Sequence, residues 1–331
     1  MKSTIIKKVT EPFVRLFWKT QFRVLRACPP LCGVVTANSL GATNAPGLLA
    51  KTYLQLAIRV PGAFICHWRD KWNHRVALSR VIVIVTTRCT LNCDKCGAHI
   101  PDLKCQRDMP PSELIPDIKS LLGCVDYIHN LTLSGGEPLL HPNLDEIIRA
   151  CFVQDKVGDI IVQTNGTVMP DEHVLEALRE TKARVQISRY PAALQPNVGK
   201  VKNVLNENGI YYTHLSSTFW NDTKLGQPQE GSMRRRFDVC ALQNCFPLMD
   251  GKLYRCSESA ISLGEGLLPD CREEYIDIRT TDPAPFCTQW RQLLKKKYVS
   301  TCAYCLGRTY KSPRVPIAVQ RESRKEGSGQ I

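Results

Sequence analysis

The alternation of strand and helix patterns between residues 80 and 217 constrains the fold of this 331-residue chain more than any other feature. Five apolar runs predict strands at 80–87, 127–138, 159–166, 184–190 and 210–217. Segments with a helical spacing of apolar residues follow the first four runs, at 110–125, 143–153, 171–183 and 197–209. Ser112 is predicted to mark the start of the first helix, and Gly209 the end of the fourth. Repeated βα units of this length imply a parallel sheet that is either open or curled into a barrel.

Three cysteines lie within eight residues directly after the first predicted strand. They are Cys89, Cys93 and Cys96, in the stretch "TTRCTLNCDKCGAHIP". In parallel α/β folds the functional sites form at the carboxyl ends of the strands, so this loop is placed to wrap a cofactor. A structural zinc or iron–sulfur site is closed by four thiolates. Three thiolates leave one coordination position open, which is typical of a catalytic metal site.

The spacing CxxxCxxC after the first strand resembles the signature of the radical S-adenosylmethionine (SAM) enzymes. Three further segments resemble that family in order and position: "SGGEP" at 134–138, "QTNG" at 163–166 and "ISRY" at 187–190. The resemblance implies a partial (β/α)6 barrel of the TIM type with a small cysteine-rich C-terminal extension. It also implies a 4Fe–4S cluster on the three cysteines, whose exposed iron is chelated by SAM. One electron, supplied by reduced flavodoxin or ferredoxin, then cleaves SAM to a 5′-deoxyadenosyl radical.

The same resemblance assigns the residues that contact SAM, which are Gly135, Gly136, Glu137, Thr164, Asn165, Ser188 and Arg189. Glycines let the backbone approach the ligand closely, and Glu137 offers an acceptor to the SAM ammonium group. Ser188 resembles a ribose contact, and Arg189 a partner of the SAM carboxylate. One position departs from the family pattern: the residue before the third cysteine is usually aromatic, and here it is Lys95.

A second group of cysteines follows between residues 240 and 305. Asp250 and Gly251 predict a hairpin turn between "FPLM" and "KLYRC". Residues that face each other across this hairpin have numbers that sum to 501, so Cys245 and Cys256 are predicted to form a cross-strand pair. Cys302 and Cys305 form a CxxC downstream, which completes a possible site of four thiols.

This arrangement resembles the twitch, or shortened SPASM, extension of radical SAM enzymes, which carries one auxiliary 4Fe–4S cluster. The resemblance implies the ligands Cys245, Cys256, Cys302 and Cys305, with Cys240 as the alternative to Cys245 and Cys287 as a spare. Two alternatives stay open, since a CxxC with two more cysteines serves zinc equally well, and Cys245 with Cys256 could form a disulfide.

These features divide the chain into five predicted regions. They are a basic leader or helical extension at 1–78, a radical SAM core at 79–218, a linker or mobile loop at 219–239, a SPASM/twitch-like region at 240–310 and a charged tail at 311–331. The net charge of +13 lies mostly in residues 1–80, which carry 13 Lys/Arg and two Asp/Glu, against 31 and 29 in the remainder. A nearly neutral body argues against a nucleic-acid groove, and residues 1–26 could form an amphipathic helix on an anionic membrane surface.

The sixteen cysteines indicate a reducing compartment, since the chain is too long for a disulfide-stapled small domain and shows no secretory signal pattern. We therefore expect a cytoplasmic enzyme, either free or membrane-associated, that abstracts hydrogen from a peptide or a small polar substrate. Three alternatives remain: an RNA-modifying radical SAM enzyme, a membrane- or envelope-associated one, and a non-catalytic iron–sulfur or zinc protein.

Overall fold

A computed structural model of the chain describes residues 42–43, 68, 76–153, 156–215, 217, 219–309 and 312–322. The predicted amphipathic helix at 1–26 and the last part of the predicted tail lie outside the described residues. None of the helices in the described ranges combines the length and the apolar character that a membrane span requires.

Nine strands form one sheet in the order β1-β6-β5-β4-β3-β2-β8-β9-β10, and β7 pairs with β11 in a separate ribbon. The strands are β1 (Ala42–Thr43), β2 (Ala77–Thr86), β3 (Tyr127–Gly135), β4 (Ile160–Thr164), β5 (Arg184–Ile187), β6 (Tyr212–His214), β7 (Phe219–Asn221), β8 (Phe246–Met249), β9 (Lys252–Tyr254), β10 (Tyr275–Asp277) and β11 (Arg314–Pro316).

The helices connect these strands along the chain. They are α1 (Pro111–Cys124), α2 (Leu144–Cys151), α3 (Glu172–Thr181), α4 (Val198–Glu207), α5 (Met233–Asp238), α6 (Ser257–Gly264) and α7 (Pro283–Lys295). Ser112, predicted at the N-terminus of α1, is the second residue of the helix, which begins at Pro111 with Pro110 in the cap position. A proline at the first helical position fits because its fixed φ is helical and the missing N–H would have had no partner.

The parallel α/β architecture predicted from the sequence is confirmed. Strands β2 to β6 pair in parallel, and β8 pairs in parallel with the other side of β2. Six strands therefore run in one direction, and their carboxyl ends lie at one edge of the sheet. The sixth comes from the cysteine-rich region, and 219–239, predicted as a linker, contains β7 and α5.

Continuous apolar runs form the centre of the sheet because both of its faces are covered. In β2, the side chains of Leu78, Val81 and Val83 are fully buried. Helix α2 buries Leu144, Ile147, Ile148 and Cys151, a spacing that places all four on one helical face. A rigid core therefore holds the loops that leave the carboxyl ends of the strands.

The predicted hairpin is confirmed in its register. Leu248 pairs with Leu253 and Met249 with Lys252, in each case with numbers that sum to 501. Asp250 has a φ of 49° and Gly251 a φ of 70°, so both turn residues take the left-handed conformation that two-residue hairpins favour.

Candidate active site

The loop with the first three cysteines begins where β2 ends, and hydrogen bonds fix its first residues. The backbone N–H of Thr87 donates to the Arg107 carbonyl at 2.8 Å, and the Thr86 hydroxyl donates to Asp108 at 2.7 Å. Cys93 is buried, whereas Cys89 and Cys96 are half-buried. Burial raises the pKa of the Cys89 thiol to about 11, and the negative charges of Glu137 and the two other thiolates add to this effect.

The two glycines after β3 lie directly against this cysteine loop. The N–H of Gly136 donates to the Thr86 carbonyl at 2.8 Å, and that of Glu137 to the Arg88 carbonyl at 2.7 Å. A Cβ on Gly135 would lie 2.0 Å from the Thr86 oxygen, and a Cβ on Gly136 would lie 2.0 Å from the Arg88 oxygen. The glycines therefore allow contact with the cysteine loop, in addition to any contact with SAM that the sequence predicts.

Glu137 is fully buried and joins the ends of β3 and β4. One of its carboxylate oxygens accepts from the Leu139 N–H and the Thr164 hydroxyl, and the other from the Asn165 N–H at 2.7 Å. Burial raises its pKa to about 7, although these hydrogen bonds act in the opposite direction. Among the described residues, the second oxygen accepts this one hydrogen bond, and no part of the carboxylate reaches solvent.

Asn165 connects the "QTNG" segment to the cysteine loop. Its amide donates to the Thr90 hydroxyl at 3.0 Å and lies 3.7 Å from the Cys89 sulfur. Its side-chain oxygen Oδ1 accepts hydrogen bonds from the backbone N–H and the hydroxyl of Thr167. A neutral donor next to a sulfur stabilises a thiolate, which is the form that binds iron.

Ser188 and Arg189 lie at the end of β5, at the same edge of the sheet. The backbone N–H of Ser188 donates to the Thr164 carbonyl at 2.8 Å, and Arg189 is exposed. Beside them, burial raises the pKa of the Tyr190 hydroxyl well above its usual value, and the charges of Glu137 and the three thiolates add to this. The structure thus brings the predicted SAM residues and the three thiols to one edge; their roles stay predictions.

Gln195 is a residue of this region that the sequence analysis missed. Its amide nitrogen donates to the backbone carbonyls of Asn165 and Ser188, and its oxygen accepts from the Tyr190 N–H at 3.0 Å. Its buried side chain therefore fixes the loops after β4 and β5 to each other. A lone glutamine after a proline-containing turn gives no sequence signal for such a role.

Lys95, which stands where the family usually has an aromatic residue, has a φ of 54° and pairs with Asp222 at 3.5 Å. The third cysteine of the loop is therefore flanked by an ion pair that reaches to the end of β7.

The second cysteine group surrounds a small cavity. Four of its lining residues are Cys240, Cys256, Cys302 and Cys305. The lining thus includes the alternative ligand, Cys240, while the favoured Cys245 is buried outside it. Burial raises the pKa of the Cys302 thiol to about 11, and burial also raises the pKa values of the other three lining thiols.

Positive charge accompanies these thiols. Arg236 lines the cavity, and its buried Nε finds no acceptor among the described residues. The backbone N–H of Arg308 lies 3.4 Å from the Cys240 sulfur, and that of Gly307 donates to the Cys305 sulfur at 3.2 Å. Thiols, inward-facing amides and an unpaired guanidinium nitrogen form a donor set that fits an anionic iron–sulfur cluster.

An ionic bridge between half-buried His99 and buried Glu258 links the two cysteine groups. His99, three residues after Cys96, contacts Asp102 at 3.2 Å and Glu258 at 2.9 Å. Burial opposes the charged form of His99, but its two carboxylate partners outweigh burial and raise its pKa to about 9. The hydrogen bond from His99 is the largest cause that lowers the pKa of Asp102 to about 2.

The donor set of the first loop also fits an iron–sulfur cluster, since three soft thiols face one region and stop one short of a closed site. In the described ranges, no three His, Cys, Asp or Glu side chains are placed to hold a metal ion. The fit therefore rests on the kind of donors and on their common edge.

Comparisons with known proteins agree with the sequence motifs. Residues 83–189 match the family model of the Radical SAM superfamily. The GTP 3′,8-cyclase of Aquifex aeolicus is 28% identical over 148 residues, which are 43% of this chain and 44% of that protein. Among solved structures, anSMEcpe with bound AdoMet has a TM-score of 0.46 and 14% identity, over 65% of this chain and 80% of that one. BtrN in complex with AdoMet and 2-DOIA has a TM-score of 0.44 and 19% identity, over 69% and 92%.

The match over residues 83–189 supports the predicted resemblance to the radical SAM superfamily. The chain spans less than half the length of the curated relatives that it matches, with 44% and 38% for two of them. The names of these relatives therefore carry no reaction or substrate over to this chain.

Proposed function

We propose that a 4Fe–4S cluster on Cys89, Cys93 and Cys96 supplies the electron that cleaves SAM to a 5′-deoxyadenosyl radical, which takes hydrogen from a peptide or a small polar substrate. The observation that carries this proposal is the contact of the cysteine loop with the carboxyl ends of β3 and β4, where the Glu137 N–H donates to the Arg88 carbonyl at 2.7 Å and the Asn165 amide lies 3.7 Å from the Cys89 sulfur. Three protein thiolates leave one coordination position for a ligand that is not part of the chain.

Glu137 and the loops around it would hold the amino end of SAM. Glu137 is fully buried, so its carboxylate would fix the loops that approach the SAM amino group, through hydrogen bonds at the ends of β3 and β4. Exposed Arg189, from the end of β5, would pair with the SAM carboxylate. Ser188 would contact the ribose. Each of these residues lies at the end of a strand in the central sheet, which fixes the position of its backbone.

The surface next to these loops supports a polar substrate. The rings of Tyr190 and Trp220 meet edge to face at 5.8 Å. Burial and the nearby charges of Lys202 and Arg189 lower the pKa of His214, so this imidazole is neutral and can accept or donate a hydrogen bond. Aromatic faces beside Arg and Lys suit a substrate that carries carboxylate or other anionic groups.

For the second group we propose one auxiliary 4Fe–4S cluster on Cys240, Cys256, Cys302 and Cys305. The four thiols share one cavity with the unpaired Nε of Arg236, which supports an anionic occupant. The variants Cys240→Ala and Cys245→Ala test the choice of ligand. The first should lose about four of the eight irons expected per chain, and the second should retain them. If only Cys245→Ala loses iron, Cys245 is the ligand, as the sequence predicts.

Anaerobic reconstitution tests the main proposal. The protein is loaded with iron and sulfide, both are counted, and 5′-deoxyadenosine is measured after SAM and dithionite, or reduced flavodoxin or ferredoxin, are added. The triple variant Cys89→Ala, Cys93→Ala, Cys96→Ala should form no 5′-deoxyadenosine. Its matched control is Cys105→Ala, at an exposed cysteine that lies outside both groups. The proposal is refuted if the first variant still forms the product, or if the loop holds zinc.

Substrate class is tested with the same preparation. Deuterium transfer into 5′-deoxyadenosine from labelled peptides, small polar compounds or GTP would identify the hydrogen donor. Binding of the full chain to RNA or to anionic vesicles, compared with a chain that lacks residues 1–78, separates the RNA-modifying alternative from the membrane-associated one.

A further inference from the structure

The end of the described chain lies against the first cysteine loop. The N–H of Asp94 donates to the Val319 carbonyl at 2.6 Å, and the N–H of Arg321 donates to the Asn92 carbonyl at 2.8 Å. Cys93 and Gln320 form an antiparallel bridge between these segments. The sequence analysis assigned these residues only to a charged tail. We call residues 318–322 the clasp.

Ion pairs extend the same contact. The Arg321 guanidinium donates to Asp102 at 2.7 Å and lies 3.5 Å from Asp94. Ala318 is buried and takes a φ of 54°, which turns the chain back onto the loop just before Gln320. The clasp therefore touches the cysteine loop through backbone, side-chain amide and charge.

The Gln320 amide has one orientation that satisfies all its neighbours. Its oxygen accepts from the Asn92 N–H at 2.9 Å, and its nitrogen donates to the Ala318 carbonyl at 2.8 Å and to the Cys93 sulfur at 3.2 Å. A flipped amide would set its oxygen against a carbonyl and a sulfur, and its N–H against an N–H. The neighbours therefore fix the Gln320 amide so that one of its N–H groups points at the Cys93 sulfur.

A donor at a cluster thiolate stabilises the reduced cluster more than the oxidised one. Reduction adds negative charge that the sulfurs share, and a hydrogen bond to a charged acceptor is stronger than one to a less charged acceptor. Hydrogen bonds to cysteine sulfurs are among the factors that set the reduction potential of iron–sulfur clusters. Of the three loop cysteines, Cys93 is the one that the clasp buries, to 5% exposure.

We propose that Gln320 is a positioning residue. It raises the reduction potential of the proposed cluster through Cys93, and it holds residues 92–94 against the clasp. The effect on the reduction potential rests on the proposed function, whereas the contact between residues 92–94 and the clasp does not depend on any cluster. Gln320 acts through Cys93 and has no contact with SAM or substrate assigned to it.

Two variants and one control test it in the full chain. Gln320→Leu removes the donor and the acceptor, and Gln320→Glu keeps an acceptor for the Asn92 N–H but sets an oxygen against the sulfur. Val319→Ala is the matched control, since Val319 is 49% exposed and contributes only its backbone carbonyl to the loop. The measurements are the midpoint potential of the SAM-cleaving cluster and amide hydrogen exchange of residues 90–96 in the cluster-free protein.

We expect Gln320→Leu to lower the equilibrium constant for reduction about tenfold, which is about 59 mV for a one-electron couple. Gln320→Glu should lower it further, and Val319→Ala should leave it unchanged. Exchange at residues 90–96 should become about tenfold faster in Gln320→Leu, because a hydrogen-bonded side chain between loop and clasp is lost.

The outcomes separate this inference from the proposed function. If the wild-type protein holds no reducible cluster, the proposed function fails, and the exchange experiment still decides whether Gln320 closes the loop. If the wild-type protein forms 5′-deoxyadenosine but both Gln320 variants match Val319→Ala in potential and in exchange, the inference about Gln320 is overturned. Should Gln320→Leu not fold, Gln320→Glu decides alone, since its expected shift has the same sign.

Discussion

The substitution Gly136→Ala tests the contact between the loop after β3 and the cysteine loop. A Cβ at this position would lie 2.0 Å from the Arg88 oxygen and 3.2 Å from the Cβ of Cys89. Real Cβ atoms essentially never come closer than 3.0 Å to such a neighbour, so the carbonyl must withdraw by about 1 Å. The hydrogen bond from the Glu137 N–H to that carbonyl, now 2.7 Å long, is then broken.

The expected cost follows from these two changes. An unsatisfied buried backbone pair costs about 1–3 kcal/mol, and forcing extra volume into a tight contact costs about 1–3 kcal/mol. Because one movement of the loop causes both, we expect the free energy of unfolding to fall by about 3 kcal/mol. The same movement displaces Cys89, so the iron bound at the first loop should fall below half of the wild-type value.

Gly199→Ala is the matched control. Gly199 is exposed in the first turn of α4, and a Cβ there meets nothing within 4 Å. Alanine should raise stability by about 0.5 kcal/mol, because glycine loses more backbone entropy in a helix. Urea unfolding of the cluster-free proteins, followed by circular dichroism, gives the free energies. If Gly136→Ala unfolds within 0.5 kcal/mol of wild type and binds full iron, the steric argument is refuted.

Two further predictions concern the bridge and the second site. His99→Gln should cost about 3 kcal/mol, because it leaves buried Glu258 without its imidazole partner. The pKa of His99 is raised from 6.5 to about 9, so its contribution is complete below pH 6.5 and is lost as the pH rises through 9. The urea midpoints of the wild-type protein and of His99→Gln should therefore converge toward pH 10. A difference that stays constant with pH would contradict this prediction. Cys240→Ala should lose the charge-transfer absorbance of one cluster, whereas Cys245→Ala should keep it.

Local patterns in the sequence were sufficient for β2 to β6, for α1 to α4 and for the position of the cysteine loop. The hairpin at β8 and β9 shows both the reach and the limit of such patterns. Its register is as predicted, because two residues in the turn determine it. However, β8 begins only at Phe246, β9 ends at Tyr254, and α6 begins at Ser257. Pairing therefore does not extend to Cys245, and register alone could not identify the residue that joins the cavity.

Contacts between distant segments account for what the sequence did not predict. Gln320 is 227 residues from Cys93, and no periodicity or motif relates the two. The sequence predicts that Gly136 lets the backbone approach SAM, whereas the nearest neighbour in the structure is the Arg88 carbonyl. A sequence shows that a backbone must come close to something, whereas only the fold shows to what.

The two cysteine groups are connected by ion pairs around the buried carboxylate of Glu258. Glu258, two residues after Cys256, lies between the imidazole of His99 and the guanidinium of Arg308, at 2.9 and 3.5 Å. Arg308 also donates to the Gly97 carbonyl at 3.1 Å, directly after Cys96. The Glu258 side chain is 2% exposed, so moving either partner away would leave a buried carboxylate with less compensation. These contacts therefore favour a constant separation of the two thiol groups.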